Sequence, residues 1–193
     1  RLPAPATAAL ILGLWILFTG ALHLDGLADV CDGLYAGRTP EERLRIMKDP
    51  HLGTMATVAI TTHLILKFAM INSLPASAIV PSLLLAPCVA RYAMAVLGTT
   101  LPYARPDGGT AASFVRHATL RSLLIALAVA LGLSWLIAGR AGLGLVGAVS
   151  GVALILRTVF FRTLGGITGD SLGAAGEISE LVVLVCGVMW LGR

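Results

Sequence analysis

Charge is what this chain has least of. Only 12% of its 193 residues are Asp, Glu, Lys or Arg, 57% are hydrophobic, and the mean hydropathy is +0.90. A soluble domain carries roughly one quarter charged residues, so that class is excluded. Cysteine is scarce as well. Cys31, Cys88 and Cys186 are odd in number and show no CxxC spacing, which excludes a disulfide framework and a cysteine zinc site. Strand-like alternation is missing and the apolar runs are long, so helices are the expected way across a bilayer. No internal repeat, low-complexity linker or leader with a cleavage site stands out. The net charge of +4 suits Arg-rich loops of a membrane protein and gives no sign of nucleic acid. The chain starts at Arg1, already close to an apolar run; the expectation is that a further N-terminal helix belongs before it.

What is present reads as one all-α, polytopic transmembrane bundle, a single integral-membrane domain over 1–193. About six spans are expected, near Pro5–Leu22, Thr54–Ile71, Ala76–Leu97, Thr119–Ala138, Ala141–Phe160 and Leu172–Trp190, each close to the ~20 residues that cross a hydrocarbon core. Six crossings put the charged regions Gly26–Gly53, Gly98–Ala118 with its flanking arginines, and Arg157–Glu180 on one side. That side holds Arg38, Arg43, Arg45, Lys48, Arg91, Arg105, Arg116, Arg121, Arg157 and Arg162, and the other only Arg1, Arg140 and Arg193. The positive-inside rule makes the first side cytoplasmic. All 10 acidic residues fall there too, which the rule does not require and a shared chemical task would explain.

The acids form two stripes. Asp25, Asp29 and Asp32 sit at i, i+4 and i+7, one face of a helix that follows an apolar run. Like charges at this spacing destabilise a helix unless a cation lies among them. Hard divalent ions such as Mg²⁺ take carboxylates together with substrate phosphates. The plain alternative is a solvated acidic helix end. The second stripe is Asp170, Glu177 and Glu180, with Gly173 and Gly176 beside it. Small residues let membrane helices approach closely, and carboxylates entering such a helix face the bundle interior or a wet cavity. Here the alternative is an ordinary helix start with acids favoured by the dipole, which accounts for Asp170 better than for Glu180.

Between the stripes, Thr39 as N-cap, Pro40 at N1 and Glu42 at N3 predict a short helix that stops before Pro50. Arg43, Arg45 and Lys48 on it could bind phosphates beside the metal, and Asp49 could be a ligand or a base. An interfacial helix is the alternative. In the turn-rich segment Tyr103-Ala104-Arg105-Pro106-Asp107-Gly108-Gly109, Arg105 suits phosphate and Tyr103 could stack on a base or sugar; an ordinary loop is the competing reading. His63 and Lys67 lie one turn apart inside the second span, Lys67 roughly 20 Å along the helix from Thr54. Lys67 must snorkel outward or pair with a buried acid. Cys31 reads as a small apolar filler.

Leu22-His23-Leu24-Asp25-Gly26-Leu27-Ala28-Asp29, Asp32-Gly33, Ile46-Met47-Lys48-Asp49 with Gly53, Tyr103-Ala104-Arg105-Pro106, and Gly166-Ile167-Thr168-Gly169-Asp170-Ser171-Leu172-Gly173-Ala174 with Glu177 and Glu180 together resemble the cobalamin synthase family, the membrane-bound adenosylcobinamide-GDP ribazoletransferases. The resemblance runs in order through essentially the whole chain. Asp29-Val30-Cys31-Asp32-Gly33-Leu34-Tyr35-Ala36 is also similar to the start of the CDP-alcohol phosphotransferase signature, but Gly37 stands where that signature has Arg, and its Gly-x-x-x-Asp-x-x-x-Asp half is absent at the usual spacing.

The resemblance implies that a ribose hydroxyl of α-ribazole, or of its 5′-phosphate, attacks the phosphorus attached to adenosylcobinamide, and GMP leaves. It implies Mg²⁺ as cofactor, held by Asp25, Asp29 and Asp32, with Asp170 and Glu177 or Glu180 completing a second position or orienting the nucleophile. Asp49 and Asp170 are the two candidates for the base. His23, Arg38, Arg43, Lys48, Tyr103 and Arg105 are the candidate substrate contacts. The expected setting is a bacterial inner membrane, with the active site on the cytoplasmic side, the bilayer as partner and self-association left open. The competing functions are a CDP-alcohol phosphotransferase of phospholipid synthesis and a cation transporter. A transporter should spread its acids toward the midplane rather than gather them at one end.

Overall fold

The computed structural model describes residues 2–190, and among these the regular elements are eight helices: α1 (Ala4–Thr19), α2 (Leu22–Ala36), α3 (Pro40–Ile46), α4 (Thr54–Ser73), α5 (Ala76–Thr100), α6 (Ala112–His117), α7 (Leu120–Leu164) and α8 (Gly169–Trp190). The all-α bundle is as expected. α4, α5, α7 and α8 are each long and apolar enough to cross a membrane. α7 has 45 residues, roughly 68 Å if it were one rod, over twice the hydrocarbon core. It is not one rod. Gly139 takes φ 56 and ψ −135, and the chain folds back there so that Gly142 packs on the Ser134 carbonyl. Its two arms are the fourth and fifth expected spans, and Arg140 marks their turn. Arg1 and Arg193, expected at the same end, lie outside the described residues.

The first expected span needs correction. α1 stops at Thr19, because Gly20 (φ 58) and Ala21 (φ 57) both turn left-handed. Glycine accepts that conformation freely, whereas a residue with a Cβ pays for it. The Gly20 and Ala21 amides cap the helix by donating to the Leu17 and Ile16 carbonyls, and α2 leaves at 86° to α1. The acidic stripe is therefore a separate helix rather than the polar end of a span. The bend frees its carboxylates from following α1 along the apolar direction.

α8 is the centre of the bundle, buried almost continuously from Ser171 to Glu180. One core cluster joins it to α5 and α7 around Leu85, Val89, Leu145, Val149 and Val183. A second, around Leu27, Met47, Leu97, Phe160, Ile167 and Leu172, lies at the charged end and supports α2 and α3. A third packs α1 against α4, α5 and α8 through Ala8, Ile71, Ala78 and Leu184. The outside is apolar, with Phe18 89% and Leu136 80% exposed, as a surface solvated by lipid tails requires.

Candidate active site

α2 turns Leu24, Leu27, Ala28 and Val30 into the core, so helical periodicity puts Asp25, Asp29 and Asp32 on another face. Gly26 lets α2 touch α8: a Cβ there would come 2.7 Å from the Asp170 carbonyl oxygen. Gly173 and Gly176 receive His23 from the same helix. The first acidic stripe and the start of the second thus converge, as the sequence suggested. One cleft, of about 300 Å³, is lined by His23, Asp25 and Asp170 with Thr110 and Phe114. Another, of about 330 Å³, is lined by Asp25, Asp29, Asp32, Lys48 and Asp49. Asp25 belongs to both and joins them.

Asp170 is set by local structure on two sides. Thr168 and Ser171 form a reciprocal cap at the start of α8, the Ser171 amide donating to Thr168 Oγ1 (3.2 Å) and the Thr168 amide to Ser171 Oγ (3.0 Å). The Thr168 hydroxyl also donates to Asp170 Oδ2 at 3.3 Å. Opposite, Tyr103 and Ile167 form a parallel bridge, in which the Ala104 amide donates to the Ile167 carbonyl (2.8 Å) and the Ile167 amide to that of Pro102 (2.9 Å). This two-rung pairing brings Arg105 over the helix start, where Nη2 donates to Asp170 Oδ2 at 2.7 Å. Lys48 and Arg45 share a third cleft with Arg105, of about 280 Å³. Charge-assisted donors so gathered suit phosphate oxygens.

The carboxylates of Asp25 and Asp29 make no hydrogen bond to any described residue, although the Asp25 amide donates to the Ala21 carbonyl (2.9 Å). Burial, and after it the charges of Asp170, Asp25 and Asp32, push the Asp29 carboxyl up to about 7, with Arg105 opposing them. Among the described residues no three His, Cys, Asp or Glu side chains stand close enough to hold an ion unaided. A donor set of one or two carboxylates completed by substrate oxygens is the usual environment of Mg²⁺, and Asp25 and Asp29 fit that pattern.

Other expected site residues have different tasks. Asp32 caps α4: Oδ2 accepts from the Gly53 amide (2.7 Å) and Oδ1 from the Ala56 amide (2.8 Å). Its negative charge at a helix N-terminus is favourable in its own right. Asp32→Ala is expected to cost about 1–2 kcal/mol of stability, seen as a lower melting temperature in detergent. An unaltered melt would refute the capping role. Arg43 is structural: Nε donates to the Gly37 carbonyl (3.1 Å) and Nη1 to that of Thr163 (2.9 Å), tying α3 to the end of α7. Arg38 is exposed and lines none of these clefts. Its amide donates to Glu42 Oε2 (2.8 Å) while the Glu42 amide donates to Thr39 Oγ1 (3.2 Å), the expected helix start. Tyr103 is half-buried with its hydroxyl on Gly109, so it serves the bridge and offers no stacking face to these clefts. Asp49 is bound by the amide (3.0 Å) and ring (2.6 Å) of His51, and these bonds hold its carboxyl below the ordinary value. It is correspondingly a poorer base than expected.

Glu177 and Glu180, expected beside a second metal position, are instead engaged by cationic and ring donors from α4. Lys67 reaches both, Nζ donating to Glu177 Oε2 at 2.8 Å and Glu180 Oε2 at 2.7 Å, and His63 Nε2 lies 2.7 Å from the same Glu177 oxygen. Of the two outcomes expected for Lys67, snorkelling outward or pairing with a buried acid, the structure contains the second. Thr168 and the bridge at Tyr103 were missed in the sequence, although the Thr-Gly-Asp-Ser spacing is a recognisable cap.

Fold and site together define a polytopic membrane enzyme with carboxylates, Arg and Lys gathered at one mouth of a helical bundle. Comparison with known proteins is specific. The chain belongs to the cobalamin-5-phosphate synthase (CobS) family, whose model matches residues 1–188. It is 44% identical over 184 residues to the adenosylcobinamide-GDP ribazoletransferase of Pseudomonas paraeruginosa, covering 95% of this chain and 74% of that one. It is 37% identical over 185 residues to the protein of the same name from Chlorobium phaeobacteroides, covering 94% and 74%. No solved structure matches. The chain is a transferase of cobalamin synthesis, the family its motifs resemble.

Proposed function

We propose that this chain joins adenosylcobinamide-GDP to α-ribazole, or to its 5′-phosphate, at the mouth where α2, the 101–111 loop and the start of α8 meet. The observation that carries this reading is the Arg105–Asp170 pair held at 2.7 Å beside the unpaired carboxylates Asp25 and Asp29. The ribose hydroxyl oxygen forms the new bond to the phosphorus attached to adenosylcobinamide, the bond to the GMP oxygen breaks, and GMP departs with that electron pair. Asp170 orients the hydroxyl and takes its proton; Arg105 and Thr168 hold Oδ2, and Oδ1 has no partner among the described residues. Arg105 and Lys48 bind the diphosphate, and His23 faces the substrate across the cleft it shares with Asp170. Asp25 and Asp29 would hold Mg²⁺, whose positive charge would offset that of the diphosphate. Positioning and charge are most of what phosphoryl transfer asks of a protein.

The charge asymmetry of the loops supports a mouth on the cytoplasmic face of a bacterial inner membrane. The test is product release from proteoliposomes supplied with adenosylcobinamide-GDP and α-ribazole, and separately with CDP-diacylglycerol. GMP should appear in the first and no CMP in the second. Mn²⁺ electron paramagnetic resonance should show an ion bound more tightly when the diphosphate substrate is present. CMP release without GMP would replace this reading with a phospholipid-type phosphotransferase.

A further inference from the structure

The buried charge cluster formed by His63 and Lys67 of α4 and Glu177 and Glu180 of α8 has no part in the chemistry just described. Lys67, Glu177 and Glu180 are each at most 2% exposed, and His63 is 6% exposed. The Lys67 ammonium also stands 4.7 Å from the centroid of the Trp15 ring of α1. Arg91 of α5 comes to 3.9 Å from Glu180 Oε1. Two carboxylates, one ammonium and one guanidinium sum to zero, and the His63 ring donates from Nε2 to Glu177 Oε2. Four helices thereby meet on one salt-bridged point.

Stability is a poor explanation for this arrangement. Replacing a whole buried ion cluster by neutral groups of similar size is often harmless or stabilising. Its effect on register is different. Where α8 meets α2, the contact is made by Gly173 and Gly176 against the backbone and ring of His23 and by Gly26 against Asp170. Surfaces without side chains approach closely but interlock weakly, so they leave sliding and rotation of α8 loosely determined. Three directional, charge-assisted bonds from α4 determine both. Asp170 lies on the same helix, seven residues before Glu177 and hence two turns away on nearly the same face.

We propose that Lys67 is a positioning residue for the transfer: held by Glu177 and Glu180, its ammonium sets the rotation and height of α8, and so places Asp170 against the ribose hydroxyl. This rests on the reading of Asp170 as the group that orients that hydroxyl. A displacement of about 1 Å at reacting groups costs on the order of a hundredfold in rate. Substrate binding falls mainly to Lys48, after α3, and to Arg105, whose loop is held by its own pairing with Ile167 just ahead of α8, so KM should change much less than kcat.

The experiment compares the full chain in proteoliposomes with three variants: Lys67→Met/Glu177→Gln/Glu180→Gln together, Glu180→Gln alone, and Asp170→Asn. The triple variant is expected to keep its helical spectrum and melting temperature and its KM for adenosylcobinamide-GDP within about twofold, while kcat falls by about tenfold or more. Should the triple variant fail to fold, Glu180→Gln decides. It keeps the Lys67–Glu177 pair and should still lower kcat severalfold at unchanged KM. Wild-type kcat in the folded triple variant, or in Glu180→Gln, with Asp170→Asn inactive, overturns the inference alone. Full turnover by Asp170→Asn overturns the reading of the site and the inference with it.

Discussion

Asp29→Asn is expected to lower GMP release by about 10²–10³-fold, the size of effect that follows removal of one preorganised hydrogen-bond donor from an oxyanion site, with no loss of folded protein. The Asp29 carboxylate makes no hydrogen bond to any described residue. It stands at the junction of α2 with the Lys48 cleft, among the negative charges of Asp25, Asp32 and Asp170. Asparagine matches its shape and removes its charge. Repulsion on α2 therefore falls, and the melting temperature in detergent should hold or rise. The capacity to keep a hard divalent ion beside the diphosphate should fall with the charge, so Mn²⁺ binding is expected to weaken in parallel with turnover. Normal turnover with normal dependence on the metal would remove Asp29 from the site.

Lys67→Met is expected to be the most damaging single change to stability. It leaves Glu177 and Glu180 buried, with His63 on one oxygen and Arg91 no nearer than 3.9 Å. Breaking a buried charge cluster by removing one partner costs about 3–5 kcal/mol, a large fraction of the roughly 5–15 kcal/mol that holds a typical domain. Unfolding in mixed micelles should show the loss. Adding Glu177→Gln and Glu180→Gln should restore most of the stability, because the uncompensated charges are then gone. A single Lys67→Met variant that unfolds like the unaltered chain would show that the cluster is solvated in the folded protein. Stability and turnover are expected to part company here: the triple variant recovers the first and not the second.

The alternation of long apolar runs with short charged segments was enough to read an all-α membrane bundle. Five of the expected spans stand close to where hydropathy put them, because length and apolarity are local properties. The bend after α1 was not legible. The apolar run continues past it, and the left-handed pair Gly20–Ala21 shows itself only once α2 has α4 and α8 to pack against. The convergence of Asp25 and Asp29 with Asp170 was readable from the two stripes and the glycines beside them. The division of labour among the carboxylates was not. Asp32 caps a helix that begins 22 residues later at Thr54, and Glu177 and Glu180 answer to a lysine from α4.

By itself the sequence determined the solvent this protein folds in, the extents of five of its spans, and which end carries the charge. These follow from the composition of contiguous segments, and a bilayer reads them segment by segment. Only the tertiary structure decided which acid lines an open cleft, which caps a helix and which neutralises a buried ammonium. A carboxylate's role depends on the donor that reaches it, and here those donors come from helices far away in the chain.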